Sequence, residues 1–258
     1  MNVVKHRGDK ASSSFLERRQ RALAMARALQ GLFPEITVPL RHQNNWELFV
    51  AVVLSAQATD KKVNEVTARL FQKYKTLSDY SYADQAEFEQ DIKEIGLYRG
   101  KARHILASAR IIQQAYGGAL PRSMDEILAL PGIGRKSANV ILGKAFGIVE
   151  GIAVDTHVRR FALRFDLTDA ADPARIERDL MDLLPKEEWF GFSYRLIMYG
   201  RQICPARQHD CRDHPLTQLY PPAADRWFSA AHTTKKPYME RRNAPPRNLD
   251  KKRGDYYV

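Results

Sequence analysis

Apolar residues recur at helical spacing along most of this chain. Leu16, Leu23, Ala24 and Leu29 share one face of a segment in which Ser14 and Glu17 have capping-box spacing, so a helix is expected from about Ser14 to the Gly31–Pro34 stretch. Trp46 to Ala56 is helical in length and mostly apolar, which predicts a buried helix. Asp60 can cap the next one, where Val63, Val66, Leu70 and Tyr74 align. Residues 76–83 read as a loop or short helices, and Ala86 to Lys93 as a helix. Ile105, Ala109, Ile112 and Tyr116 define another, from Lys101 to the stop at Gly117-Gly118. Later helices are expected to begin at Asp155, at Asp172-Pro173 and at Glu187. After Cys204 the pattern turns loop-like, and beyond Pro221 no apolar periodicity persists. No strand and no internal repeat stand out, so the fold class is all-α.

One stretch breaks the pattern in an informative way. Ser123 and Glu126 have capping-box spacing ahead of Ile127, Leu128 and Leu130. Pro131, Gly132 and Gly134 then end that short helix in a tight turn. Ala138, Ile141, Leu142 and Ala145 resume helical spacing. The product, over about 123–146, is a helix-hairpin-helix. Its hairpin amides and the second helix's N-terminus point the same way and make a site for one backbone phosphate. Arg135 and Lys136 sit in the first turn of that second helix, where the macrodipole disfavours cations by roughly 0.3–1 kcal/mol each. The dipole and Arg135 together predict a lysine whose ammonium form is disfavoured, which suits a Schiff-base nucleophile. From the hairpin alone, a solvated lysine on a phosphate is an equal reading.

Charge adds a partner. The chain has 258 residues and a formal net charge of +11. Residues 226–258 carry nine Lys/Arg against three Asp/Glu, so much of the excess lies in a tail expected to be disordered. A polyanion is still favoured. The longest apolar run, Leu48 to Leu54, is too short to span a bilayer, and the charged N-terminal stretch lacks a signal-peptide core. The expected location is the cytoplasm, at the nucleoid, with no membrane partner.

Four patches then coincide with one family. Leu130 to Asn139, Val154-Asp155-Thr156-His157, Leu54 to Asp60 and Ile95-Gly96-Leu97-Tyr98 resemble endonuclease III, a group of helix-hairpin-helix DNA glycosylases with AP-lyase activity. The resemblance runs over about residues 15–220. It implies two helical domains around a DNA-binding cleft. One is a six-helix domain at 38–148; the other joins 14–37 to 149–225, with residues 1–13 a flexible N-terminus. It further implies Lys136 as nucleophile and Asp155 as catalytic carboxylate. Gln57 would fill the vacated base position, and Leu97 would wedge into the opposite strand. Gly132, Gly134, Arg135 and His157 would contact the DNA backbone. Without the resemblance, Asp155 reads as a helix N-cap and Leu97 as a loop anchor packed inward.

The resemblance breaks near the C-terminus. Many family members hold an iron–sulfur cluster on Cys-x6-Cys-x2-Cys-x5-Cys. Here Cys204 and Cys211 keep the first spacing, but His214 and Tyr220 stand third and fourth. Four thiolates are the usual set. The expectation is therefore no cluster and no metal at 204–220, with Leu216, Leu219 and Tyr220 filling the volume. Zinc on Cys204, Cys211, His214 and His209 is the rival reading.

The function expected is base-excision repair. A monomeric bifunctional glycosylase and AP lyase would remove oxidised pyrimidines from duplex DNA, through a lysine Schiff base and β-elimination at the abasic site. An 8-oxoguanine glycosylase of the same fold is one alternative. A non-catalytic damaged-DNA-binding module is the other.

Overall fold

A computed structural model describes residues 7–36, 39–207 and 209–224. The expectations for residues 1–6 and for the tail at 226–258 lie outside the described residues. Twelve helices follow one another, and no strand occurs among the described residues. They are α1 (Arg7–Leu32), α2 (Asn45–Ser55), α3 (Asp60–Lys73), α4 (Leu77–Tyr82), α5 (Gln85–Asp91), α6 (Tyr98–Ala115), α7 (Met124–Leu128), α8 (Arg135–Phe146), α9 (Thr156–Arg164), α10 (Pro173–Leu183), α11 (Lys186–Gln202) and α12 (Pro215–Leu219). The all-α expectation holds. No described helix is long and apolar enough to cross a membrane.

Local chemistry explains most boundaries. Asn44, Ser123 and Asp172 each accept a backbone N–H from the first turn they precede. Thr76 and Asp79 form a reciprocal capping box, which makes α4 a defined helix in the stretch that the sequence left open. Three starts differ from expectation. α1 begins at Arg7, ahead of the Ser14–Glu17 spacing, because serine inside a helix costs only a few tenths of a kcal/mol, ~0.5 at most. Thr59, not Asp60, caps α3: its side chain accepts the Lys62 amide, which releases Asp60 to pair with Arg201 at 2.6 Å. The stretch expected to be loop after Cys204 contains α12, which buries Leu216 completely.

Two hydrophobic clusters divide the interior. The first gathers α2, α3, α6 and α8 around Phe49, Leu54, Tyr80, Phe88 and Ile105. The second gathers α1, α9, α10, α11 and the 204–223 stretch around Met25, Phe161, Phe165, Phe192 and Tyr199. α1 therefore packs with helices more than a hundred residues away. Arg18 and Arg21 pair with Asp166, and the buried Arg195 donates from Nε to the Phe33 carbonyl at 3.0 Å.

One buried carboxylate bridges the two clusters. Glu177, on α10, accepts from Arg135 Nε at 3.0 Å and from Asn139 Nδ2 at 2.8 Å, both on α8. A Cβ on Gly151 would lie 1.9 Å from its Oε1, so only glycine lets the 150–151 turn pass this close. Glu177→Ala is expected to lower stability by about 1–3 kcal/mol, because it strands the buried Asn139 donor. Glu177→Gln keeps an acceptor for Asn139 and should cost less. Urea unfolding of the three proteins checks the order; an unchanged midpoint in Glu177→Ala would remove the bridge from the account.

Candidate active site

The hairpin between α7 and α8 is built by two glycines. Gly132 has φ +79, and a Cβ there would meet the His104 ring at 2.4 Å, so both conformation and space require glycine. Gly134 is the N-cap of α8 and offers no side-chain cap. The first amides of α8 are thus left to an outside acceptor, at the positive end of a twelve-residue helix. Arg135 does not stand free beside Lys136, as the sequence suggested. Its Nε holds Glu177 and its Nη2 lies 3.4 Å from the Glu150 carbonyl, so its charge is partly compensated.

Lys136 and Asp155 line one cavity of about 210 Å³. They come from separate elements, the first turn of α8 and the cap of α9. Asp155 Oδ1 takes the amides of His157 at 2.8 Å and Val158 at 2.9 Å. It is an N-cap, and it lines the same cavity as the lysine. The cap reading of Asp155 holds: the cap bonds fix its orientation, and Oδ2 accepts no bond among the described residues. Ser55, Asp60, Tyr194 and Arg201 are among the other polar residues that line it. Burial, with the nearby Asp155 and Asp60 carboxylates, holds the Tyr194 hydroxyl protonated far above the usual tyrosine range. Sequence reasoning missed Tyr194 and Arg201, since neither sits in a motif that marks a site.

Gln57 and Leu97 occupy adjoining turns. Both have left-handed backbones, with φ +55 and +60. Leu97 stands at the N-cap of α6 and is 65% exposed, so it is not an inward anchor. The left-handed conformation costs roughly 1–2 kcal/mol for each such residue. His157 is half-buried against Gly200, where a Cβ would lie 2.2 Å from its Nδ1. Burial pushes this imidazole below its usual range, Arg160 and Arg201 add to that, and Asp155 opposes it. The ring is neutral at neutral pH, and its Nδ1 has no hydrogen-bond partner among the described residues.

The expectation of no metal at 204–220 is overturned by the side chains there. Ligand atoms of Cys204, His209 and His214 all lie within 4.8 Å of one another. His209 Nδ1 lies 2.7 Å from the Arg207 carbonyl, and donation there leaves Nε2 as the ligating nitrogen. His214 Nδ1 is buried without a hydrogen-bond partner, and the two imidazoles stack at 5.1 Å. Cys211 is also buried and free. Arg164 Nη1 donates to Cys204 Sγ at 3.1 Å, and Nη2 donates to Cys211 Sγ. Burial pushes the Cys204 thiol up, and the Arg164 guanidinium opposes that shift. The Tyr220 ring lies under the Arg21 guanidinium, 3.9 Å from its centroid. These residues fit a metal. One thiol and two imidazoles, from Cys204, His209 and His214, would suit zinc or an iron centre. The motif spacing misled because it placed His214 in a cysteine's role and gave His209 none.

The purified protein is expected to carry metal on this loop, and Cys204→Ser with His214→Asn should release it. Iron, sulfide and zinc assays on both proteins read the outcome; equal metal in the two, or none in either, goes against these ligands.

Comparison with known proteins agrees with this geometry. The family model for the HhH-GPD superfamily base excision DNA repair protein matches residues 50–186. The chain is 45% identical to endonuclease III of Synechocystis sp. over 206 residues, covering 80% of this chain and 94% of that one. It is 48% identical to endonuclease III of Bacillus subtilis over 189 residues, covering 73% and 86%. Its fold is similar to the structure of a trapped endonuclease III–DNA covalent intermediate, with a TM-score of 0.76 at 43% identity, covering 81% of this chain and 98% of that one. The chain belongs to the endonuclease III family, within the HhH-GPD superfamily of base excision DNA repair proteins.

Proposed function

We propose that the chain is a bifunctional DNA glycosylase and AP lyase that removes oxidised pyrimidines from duplex DNA. The observation that carries this reading is the shared cavity of Lys136 and Asp155, beside a hairpin whose helix amides lack a side-chain cap. The similarity to a trapped covalent endonuclease III–DNA intermediate supports the same chemistry.

The reaction follows from the groups present. The glycosidic carbon is unreachable in the stack, so the damaged nucleotide is extruded at a cost of a few kcal/mol, ~3, and less for a lesion. Lys136 Nζ attacks C1′, and the C1′–N bond to the base breaks with its electron pair leaving on the base. Asp155, held by two amides, stabilises positive charge on the sugar and helps move the lysine's proton. Ring opening gives an imine between Nζ and C1′. That iminium acidifies C2′, loss of the C2′ proton expels the 3′ phosphate, and the strand is cut.

The remaining residues take supporting roles in this reading. Gly132 and Gly134 bring backbone amides to a phosphate, and Arg135 adds its free Nη1 while Glu177 holds Nε. His157, neutral and at the α9 N-terminus, accepts or donates at the backbone near the lesion. Gln57 fills the space that the base leaves, and the exposed Leu97 wedges the opposite strand. The two hydrophobic clusters support two helical domains, 38–148 and 14–37 with 149–225, and the cavity lies where they meet. The protein acts as a monomer in the cytoplasm, at the nucleoid.

Borohydride is expected to trap a covalent adduct with a thymine-glycol or abasic-site duplex. Lys136→Gln should abolish trapping while DNA binding persists. Asp155→Asn should slow base release by about 10²–10⁴-fold, the usual worth of such a group. Adduct formation by Lys136→Gln would refute the nucleophile assignment.

A further inference from the structure

Lys101 is the most deeply buried ammonium of the chain's described lysines, 5% exposed, in the first turns of α6. Its Nζ donates to the carbonyls of Leu54 at 2.9 Å and Ala56 at 2.5 Å. Those carbonyls belong to the last turn and cap of α2, the negative end of that helix. Among the described residues no carboxylate pairs with it. Burial pushes the ammonium down from the ordinary lysine range, against the favourable field of the helix end. At its other end, the Lys101 amide donates to the Leu97 carbonyl at 3.2 Å and closes the turn that carries the wedge.

The two turns so joined are the two left-handed ones. Gln57 directly follows Ala56, whose carbonyl Lys101 holds. A Cβ built on Gly96, directly before Leu97, would meet the Gln57 carbonyl at 3.9 Å. Neither Gln57 nor Leu97 would hold a left-handed backbone alone against that cost. Any residue at 101 would make that backbone bond to Leu97; what lysine adds is an ammonium on the α2 carbonyls beside Gln57, so one residue touches both turns.

We propose that Lys101 is a positioning residue that locks the Gln57 and Leu97 turns into one rigid unit, so that both enter the duplex together. The inference rests on the roles proposed above for Gln57 and Leu97. It makes extrusion, not chemistry, depend on Lys101. A lesion still paired and stacked has to be unstacked and replaced, whereas an abasic nucleotide leaves with little resistance. Loss of the lock should therefore penalise the paired lesion and spare the abasic site.

The test uses the full chain and the near-isosteric Lys101→Met variant, with Lys101→Arg as the variant that keeps a cation for the two carbonyls. Single-turnover excision from a paired thymine-glycol duplex is expected to fall about ten- to a hundredfold in Lys101→Met, the worth of bonds to a charged group. Borohydride trapping on a preformed abasic-site duplex is expected to stay within about threefold. Lys101→Arg should recover part of the loss. A 2-aminopurine opposite the lesion should brighten on binding by the parent and stay dim with Lys101→Met. The penalties of Lys101→Met and Leu97→Ala should not add in the double variant, because the lock acts through the wedge. Equal losses on both substrates, no loss on either, or additive penalties would overturn the proposal. If Lys101→Met fails to fold, the Lys101→Arg and Leu97→Ala cycle decides it by the same additivity criterion. A parent protein that traps neither substrate would instead sink the proposed function.

Discussion

The carboxylate of Glu177 is the constraint on which the site depends. It is buried, it comes from α10, and both of its donors lie on α8. Arg135 is one donor and the neighbour of Lys136; Gly151, four residues ahead of Asp155, packs against the same oxygen. Position is thereby shared. The lysine's helix and the aspartate's strand-like approach are both referred to one point. A buried charge with a single weak partner would be a liability, since desolvation costs several kcal/mol, ~3 or more. Here a guanidinium and an amide satisfy it, so the two clusters of the interior meet in a fixed register. Lys136 is then spared the role of structural counterion.

The two left-handed turns at Gln57 and Leu97 are held in a different way. Nothing buries Leu97, and Gln57 is exposed as well. Their order comes from the backbone behind them: the α2 terminus, the α6 start, and the lysine between. Such preorganisation matters for extrusion, because a floppy wedge has to be ordered at the moment it enters the stack, and that entropy subtracts from binding. Left-handed residues held by long-range bonds carry the cost in folding instead.

Much of this was legible from residue order. Helix spacing, the Ser123–Glu126 and Asp172-Pro173 starts, and the Gly132–Gly134 hairpin are local features, so local chemistry predicts them. Asp155 was legible as a cap, and that cap puts it on the wall of the cavity that Lys136 lines. What escaped was long-range. Thr59 and Asp60 are both competent caps; Arg201, 141 residues on, takes Asp60 away. Arg135 looked like a free cation because its partner, Glu177, is 42 residues distant. Lys101 read as an ordinary helix start, since its two acceptors are backbone carbonyls with no side-chain signature.

The 204–220 loop failed to be legible in a more instructive way. A motif compares positions, whereas a metal compares distances between donor atoms. His209 fills no position of the four-cysteine pattern, yet its ring stacks on His214 close to Cys204. Arg164 settles why these thiols are not simply small apolar fillers. A guanidinium directed at both sulfurs from within the second cluster would be a poor neighbour for two neutral thiols. Burial raises the Cys204 thiol's pKa and Arg164 draws it back, so the arginine favours the anion that burial opposes. A metal on Cys204, His209 and His214 would resolve that tension, because a bound thiolate would keep its charge against the cation while the ion supplied what desolvation removes.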